Sequence, residues 1–324
     1  MGKIAHISAP VQLEMDTFKA HLRESMRSEQ KLMDIVMNYI LKTKGKQLRP
    51  LFVFLSAKMH GEISDKSFTA ATLIELLHTA TLVHDDVVDD SFERRGFFSI
   101  KALWRSKLAV LAGDYLLAQG LLISLKTKNY DLLETVSYAV KEMSEGELLQ
   151  YQTARQKNIT EEKYYEIIRK KTATLISACT QCGTMSTTQD EKTIQKMYDF
   201  GLNAGMAFQI RDDLFDFQPD TSTGKPKGND LKEKKVTLPI IYSIRNLEAG
   251  KSKKLRSLMQ SKSTSKEDIN LVFELVKKGG GLEYSQRIME EYIQKSLNIL
   301  AEFPESEASK SLEQLIHYVI DRKK

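Results

Sequence analysis

Two short stretches gather carboxylates at helical spacing. In "LVHDDVVDD", residues 82–90, Asp85 and Asp89 stand four apart and Asp86 and Asp89 three apart, so on a helix their side chains share one edge. "AFQIRDDLFDFQPD" repeats that spacing with Asp212, Asp213 and Asp216, again at the end of an apolar stretch. Like charges so placed repel by about 0.2–0.5 kcal/mol per pair even on an exposed helix. One acidic run is as readily a solvated face as a site; two copies of one spacing point to a task. Carboxylates without imidazole or thiolate suit Mg2+ rather than zinc, and Mg2+ completes its octahedron with water and phosphate oxygens. Two such sets facing each other across a cavity would take a diphosphate.

Such a site needs cations of its own, and the sequence supplies candidates. Lys46 and Arg49 lie in "KTKGKQLRP" (42–50), Arg94 and Arg95 follow the first cluster, Lys171 lies in "RKKTATL", and Lys225 and Lys235 lie in the basic stretch 218–235. Singly, each is an ordinary surface residue. Together, arginine forks and lysine point charges suit diphosphate recognition, and two subsets suggest two diphosphates.

The elements that position these groups read as helices. No proline lies between Pro50 and Pro219, no Asn-Gly or Asp-Gly hairpin signal occurs, and apolar residues recur at helical spacing in "KSFTAATLIELLHTATLVHDD". Helices are expected over 8–42 with a break near Met26, then 49–60, 65–92, 98–126, 129–156, 160–185, 189–219, 237–249, 265–277, 281–301 and 306–322. No repeat or long linker divides the 324 residues, so one all-α domain is expected. No apolar run reaches the ~20 residues that span a bilayer. The N-terminus lacks the layout of a secretory signal, and two cysteines in 324 residues agree with the cytoplasm. A net charge of +5 spread along the chain argues against nucleic acid. Cys179 and Cys182 of "CTQC", without a second pair, read as packing residues. His84 reads as a helix-packing residue or one that supports the cluster from behind its ligands, and Asp90, off the three-residue pattern, as an acid that faces solvent or gives the same support.

With these motifs in order, the sequence resembles the trans-isoprenyl diphosphate synthases of the long-chain, octaprenyl type. "LVHDDVVDDSFERRG" is similar to their first aspartate-rich motif, "FQIRDDLFD" to their second, "KGKQLRP" to their GGKRxRP, "KTATL" to their KT motif, and "TGKPKGNDLKEKKVTLP" to their lid segment; together these cover about residues 40–245. Lys44, Gln47 and Lys234 depart from the family pattern. The resemblance implies an isoprenoid synthase helical bundle around a central cavity, a homodimer using the helix at 98–126, and Mg2+, three ions per site. It also implies repeated condensation of isopentenyl diphosphate with an allylic diphosphate. Asp85, Asp86, Asp89 and Asp212, with Asp213 and Asp216 more peripheral, would hold the metal. Arg94, Lys171, Lys225 and Lys235 would grip the allylic diphosphate; Lys46, Arg49, His78 and Arg95 would take isopentenyl diphosphate. Thr172 and Gln209 would face the allylic cation.

Members with bulky aromatics four and five residues before the first aspartate make short products. Here those positions are Thr81 and Ala80, with Leu77 a turn further back, so the resemblance implies a long product, about C30–C50 along ~30 Å of helix wall, for quinone side chains. Short-chain, geranylgeranyl synthesis is the alternative. A terpene cyclase would carry Asn, Ser or Thr and Glu at its second site, and a non-catalytic partner subunit would have lost a cluster. Contact with a membrane is expected only for product release.

Overall fold

The structure is a computed structural model describing residues 3–43, 45, 47–94, 96–154, 159–217, 231, 235–261 and 265–320; the side chains of Lys3, Arg94, Ala154, Lys266 and Val319 lie outside that description. The described chain is all-α apart from one minimal hairpin. Two compact units interleave in sequence, the first of residues 1–140, 176–198 and 303–318, the second of 141–175, 199–302 and 319–324. Four of the five crossings between them fall inside continuous helices, so no linker separates them.

The first unit holds α1 (Lys3–Ile7), α2 (Gln12–Ser25), α3 (Lys31–Lys42), α4 (Leu48–His60), α5 (Asp65–Val88), the strands β1 (Glu93–Arg94) and β2 (Phe97–Phe98), and α6 (Ile100–Lys126). It also takes the first part of α7 (Tyr130–Ala154). α5 is its spine: residues 69–80 are buried all round, packed against α2, α4 and α6. Phe18, Leu22, Phe54, Leu55, Leu73 and Leu76 fill the core around it. α6 shows α5 a face of small residues, Ala109, Ala112, Gly113, Gly120 and Ser124, which lets the two backbones run close. Its opposite face is also apolar: Val110, Leu111, Leu121, Leu122 and Leu125 share one side and are all exposed. With both faces apolar, α6 is long and apolar enough to cross a membrane by length and composition, a property the expectation from uninterrupted runs did not contain. α6 bends at Arg105, where φ is +68°.

The second unit holds the rest of α7, α8 (Glu161–Ile168), a π-turn (Arg169–Ala173) and the start of α9 (Thr174–Met185), whose residues from 176 on belong to the first unit, and most of α10 (Glu191–Asp216). It continues with α11 (Leu238–Asn246), α12 (Ala249–Gln260), α13 (Lys266–Lys278) and α14 (Gly281–Leu300). Phe217, Ile240, Leu255, Val272, Leu275 and Val276 form one of its cores. α15 (Glu307–Ile320) returns to the first unit.

Several features depart from the sequence expectation, among them α1, which lies ahead of the first expected helix at residue 8. Residues 93–98 pair as strands, Glu93 opposite Phe98 and Arg94 opposite Phe97, where only the connection between the helices at 65–92 and 98–126 was expected. α12 was not foreseen, because its basic sequence buries only Leu255 and Met259. α5 stops at Val88 rather than 92: Asp90 takes the left-handed conformation (φ +54°) and the Ser91 amide bonds back to the Asp86 carbonyl at 3.0 Å, a Schellman-type end.

Candidate active site

The first aspartate cluster sits on the last turn of α5 and its cap. Asp85 is half-buried, Asp86 buried and Asp89 exposed at the C-cap, where its amide bonds the Asp85 carbonyl at 2.8 Å. A helix C-terminus already carries partial negative charge, and no basic residue occupies this last turn to offset it. The cluster therefore sits where a bound cation would be favoured by the helix end as well as by the carboxylates. Asp90 instead pairs with Lys101 of α6 while ending the helix.

Just before the cluster, the His84 ring presses against Gly113 of α6. Its Nε2 lies 3.2 Å from the Val110 carbonyl and 3.5 Å from Asp114 Oδ1. Further back on α5, His78 is buried, Ala80 fully buried and Thr81 half-buried, its hydroxyl donating to the His78 carbonyl at 2.8 Å. Leu77 packs beside Gly120. Arg49, in the first turn of α4, keeps its Nε buried without a hydrogen-bond partner, a donor set up for an anion. Gln47, a departure from the family loop, takes φ +50° at the N-cap of α4.

The second cluster ends α10 in the same way, again with no basic residue in the last turn. Asp212 is exposed, while Asp213 and Asp216 are buried. Beside it runs the π-turn: the Thr174 amide and hydroxyl both reach back five residues to the Arg169 carbonyl, the hydroxyl at 2.8 Å. Such turns occur often at functional sites, and this one carries Lys171 and Thr172. α10 approaches it closely because residue 205 is glycine; a Cβ there would lie 2.5 Å from Ala173 Cα.

Around the turn the polar groups interlock. The Thr172 hydroxyl donates to Gln209 Oε1 at 2.7 Å, Gln209 Nε2 donates to Asp213 Oδ1 at 2.9 Å, and the Tyr164 hydroxyl donates to Asp213 Oδ2 at 2.6 Å. Lys171 Nζ reaches Glu147 at 2.5 Å and Gln150 at 3.3 Å. Buried Glu142 of α7 accepts from Arg169 at 3.1 Å and Lys170 at 3.0 Å, holding the first two residues of the basic run 169–171. Glu161, opening α8, accepts from Tyr165 at 2.9 Å, from Tyr284, and from Arg245 at 3.3 Å, which ties α8 to α11 and α14.

Within each unit the expected residues thus fall on one helix end: Asp85, Asp86 and Asp89 on α5, and Asp212, Asp213 and Asp216 on α10 with Lys171, Thr172 and Gln209 beside them. Lys235 is half-buried in the second unit. Lys46, Arg95 and Lys225 lie outside the described residues, as do Lys44 and Lys234 and the Arg94 side chain. Among the described residues no three His, Cys, Asp or Glu side chains are gathered tightly enough to close around a metal. The donor chemistry still fits a hard cation that takes part of its shell from phosphate oxygens, because Mg2+ seldom occupies a cage built wholly of protein. Cys179 and Cys182 are buried and unbridged, and burial pushes the Cys179 thiol up to about 12. Tyr164, Glu142 and Glu147 carried no sequence signal: their partners lie across the fold, not at motif spacing.

Comparison with known proteins supplies the class. Residues 30–276 match the family model described as polyprenyl synthetase. The octaprenyl diphosphate synthase of Escherichia coli is 33% identical over 313 residues, 95% of this chain and 96% of that protein. The heptaprenyl diphosphate synthase component 2 of Bacillus subtilis is 33% identical over 311 residues, 96% and 88% respectively. The crystal structure of a Caulobacter crescentus polyprenyl synthase, complexed with calcium and isoprenyl diphosphate, superposes with a TM-score of 0.90 at 30% identity, covering 99% of this chain and 98% of that one. The chain therefore belongs to the polyprenyl synthetase family of prenyltransferases, with the all-helical fold of its solved relatives.

Proposed function

We propose that this chain condenses isopentenyl diphosphate repeatedly with an allylic diphosphate, farnesyl or geranylgeranyl, giving an all-trans polyprenyl diphosphate for quinone side chains. One observation carries the reading: two carboxylate sets of identical spacing, each at the C-terminus of a long helix whose partial negative charge favours a bound cation. The octaprenyl and heptaprenyl relatives support a long product.

Mg2+, three ions by family expectation, would be held by Asp85, Asp86, Asp89 and Asp212, with Asp213 and Asp216 more peripheral, and would supply positive charge for the leaving diphosphate. Arg94, Lys171, Lys225 and Lys235 add fixed cations to the same leaving group, and preorganised charge stabilises it better than reorienting water. Lys171 would exchange Glu147 for the diphosphate. Lys46, Arg49, Arg95 and His78 hold isopentenyl diphosphate, the buried Arg49 Nε supplying one donor. As the allylic C–O bond breaks, the cation meets the neutral oxygens of Thr172 and Gln209, which stabilise it without trapping it. The isopentenyl double bond attacks, and the proton then lost goes to the departed diphosphate, so no protein base is needed.

The growing chain is placed along α5, whose 24 residues rise ~36 Å. Ala80 and Thr81 put no bulky aromatic stop on that wall, which supports a product of about C30–C50. Incubation with isopentenyl diphosphate, an allylic primer and Mg2+, followed by chromatography, should give a ladder ending at one length, lost with a chelator and restored by Mg2+. No condensation, or wild-type rate in Asp85→Ala, would sink the reading. A stop at C20 would replace the long-chain product by a geranylgeranyl one, and Ala80→Phe giving full-length product would remove the tunnel assignment.

The exposed face of α6 is proposed as the contact between two copies, which would cover it in the cytoplasm and leave lipid contact to product release. Sedimentation should show a dimer, dispersed by Leu121→Asp. A monomer that gains activity only with a second, different chain would replace it with a heteromer of the kind that the Bacillus subtilis relative's name, component 2, suggests for that protein.

A further inference from the structure

We propose that Tyr164 is a positioning residue for the condensation: through Asp213 and Gln209 it sets which way the Thr172 hydroxyl points, and Asp213 serves this relay rather than the metal. The proposal rests on the functional reading above. It follows from what each group can donate. An ionised carboxylate has no proton and only accepts, and both Asp213 oxygens are taken, Oδ2 by the Tyr164 hydroxyl and Oδ1 by Gln209 Nε2. Gln209 must therefore turn its amino side to Asp213, which leaves its carbonyl side for Thr172. A carbonyl oxygen only accepts, so the Thr172 proton is committed to Gln209. What Thr172 has left to present is lone pairs, the polarity that a developing allylic cation requires.

Without Tyr164, Asp213 loses the donor on Oδ2 that helps to hold its carboxylate in register with Gln209. Tyr164 and Asp213 are 4% and 5% exposed, so their bond forms where water cannot substitute for either partner. Gln209 and Asp213 stand one turn apart on α10, Tyr164 lies on α8 and Thr172 within the π-turn, so the relay joins α8, the turn and α10. A Gln209 released from Asp213 could rotate and offer its amino group to Thr172, which would reverse the Thr172 dipole. The second cluster keeps Asp212 and Asp216, four residues apart, as donors for the cation.

The test is steady-state kinetics of the full chain with isopentenyl and farnesyl diphosphates. Tyr164→Phe should lower kcat roughly tenfold, the scale of a hydrogen bond to a charged group, with both KM values within about twofold of wild type. In the Gln209→Ala background, Tyr164→Phe should lower kcat no further. A purely structural tyrosine would lower the melting temperature, leave kcat of the folded enzyme intact, and act additively with Gln209→Ala; either of the last two results overturns the relay. Should Tyr164→Phe fail to fold, Asp213→Asn keeps the shape and the Tyr164 bond but turns an amino group on Gln209. Its kcat should fall with unchanged Mg2+ dependence, and wild-type kcat, or a raised Mg2+ requirement, overturns the proposal. Wild-type chain that makes no product removes the functional reading itself, whereas active wild type with unaffected variants removes only the relay.

Discussion

Gly113→Ala tests how the first aspartate cluster is held. A Cβ at residue 113 would lie 2.8 Å from His84 Cε1 and closer still to Nε2 and Cδ2. Comfortable contact is about 3.5–4.0 Å, so the ring must retreat by about 1.5 Å or more, or the helices must part. Retreat breaks the His84 bond to the Val110 carbonyl, worth ~1 kcal/mol, and overpacking adds about 1–3 kcal/mol. The total is about 2–4 kcal/mol. An unfolding entropy of ~2.1 cal/mol/K per residue over 324 residues gives ~0.7 kcal/mol/K, hence a Tm drop of about 3–6 °C. Because Asp85 follows His84 directly, kcat/KM should fall at least about tenfold, since small misplacements of a catalytic group are costly. Calorimetry and the condensation assay read the two effects. Adding His84→Ala to Gly113→Ala removes the clash and should recover part of the lost Tm. Wild-type Tm and rate in Gly113→Ala, or no recovery in the double variant, would refute the reasoning.

Other outcomes follow from the second unit and the thiols. Glu142→Gln keeps the side chain's shape but removes a charge shared by Arg169 and Lys170; stability should fall by about 1–3 kcal/mol in denaturant titration, less than for a wholly orphaned pair because Lys170 retains Glu145. Burial and Glu161 push the Tyr284 hydroxyl up to about 12. Below the ordinary value of about 10 both folded and unfolded chains keep that proton; between there and 12 the unfolded chain loses it first, so stability should fall as pH rises through this window. Tyr284→Phe should flatten that part of the Tm–pH curve, and an unchanged slope would assign it elsewhere. Ellman's reagent should find neither Cys179 nor Cys182 in native protein at pH 8 and both after denaturation, since burial raises both thiols.

The helices were legible because their apolar faces repeat: α5 and α14 begin where the sequence placed them, and α4 and α13 within one residue. α12 was not, since Leu255, Leu258 and Met259 among lysines give no period strong enough to see. The early stop of α5 needed the left-handed turn at Asp90, an option aspartate tolerates without announcing it. At the site, the aspartates, Lys171 and Thr172 were legible because helix spacing or a motif binds them locally. Tyr164 was not, because its partner Asp213 lies 49 residues away and nothing in "EEKYYEI" distinguishes it from Tyr165. Only packing separates the two: Tyr164 turns to Asp213, Tyr165 to Glu161.

The π-turn at Arg169–Ala173 holds one residue more than an α-helical turn would, which offsets the faces of α8 and α9 by about 100°. Removing any single residue from that run would restore an ordinary helix and swing Tyr164 a quarter-turn or more away from its present bearing on Thr172. The length of the segment is thus as strict a requirement as its lysine and threonine. Substitutions there should be survivable where a one-residue deletion is not, the reverse of what surface loops allow.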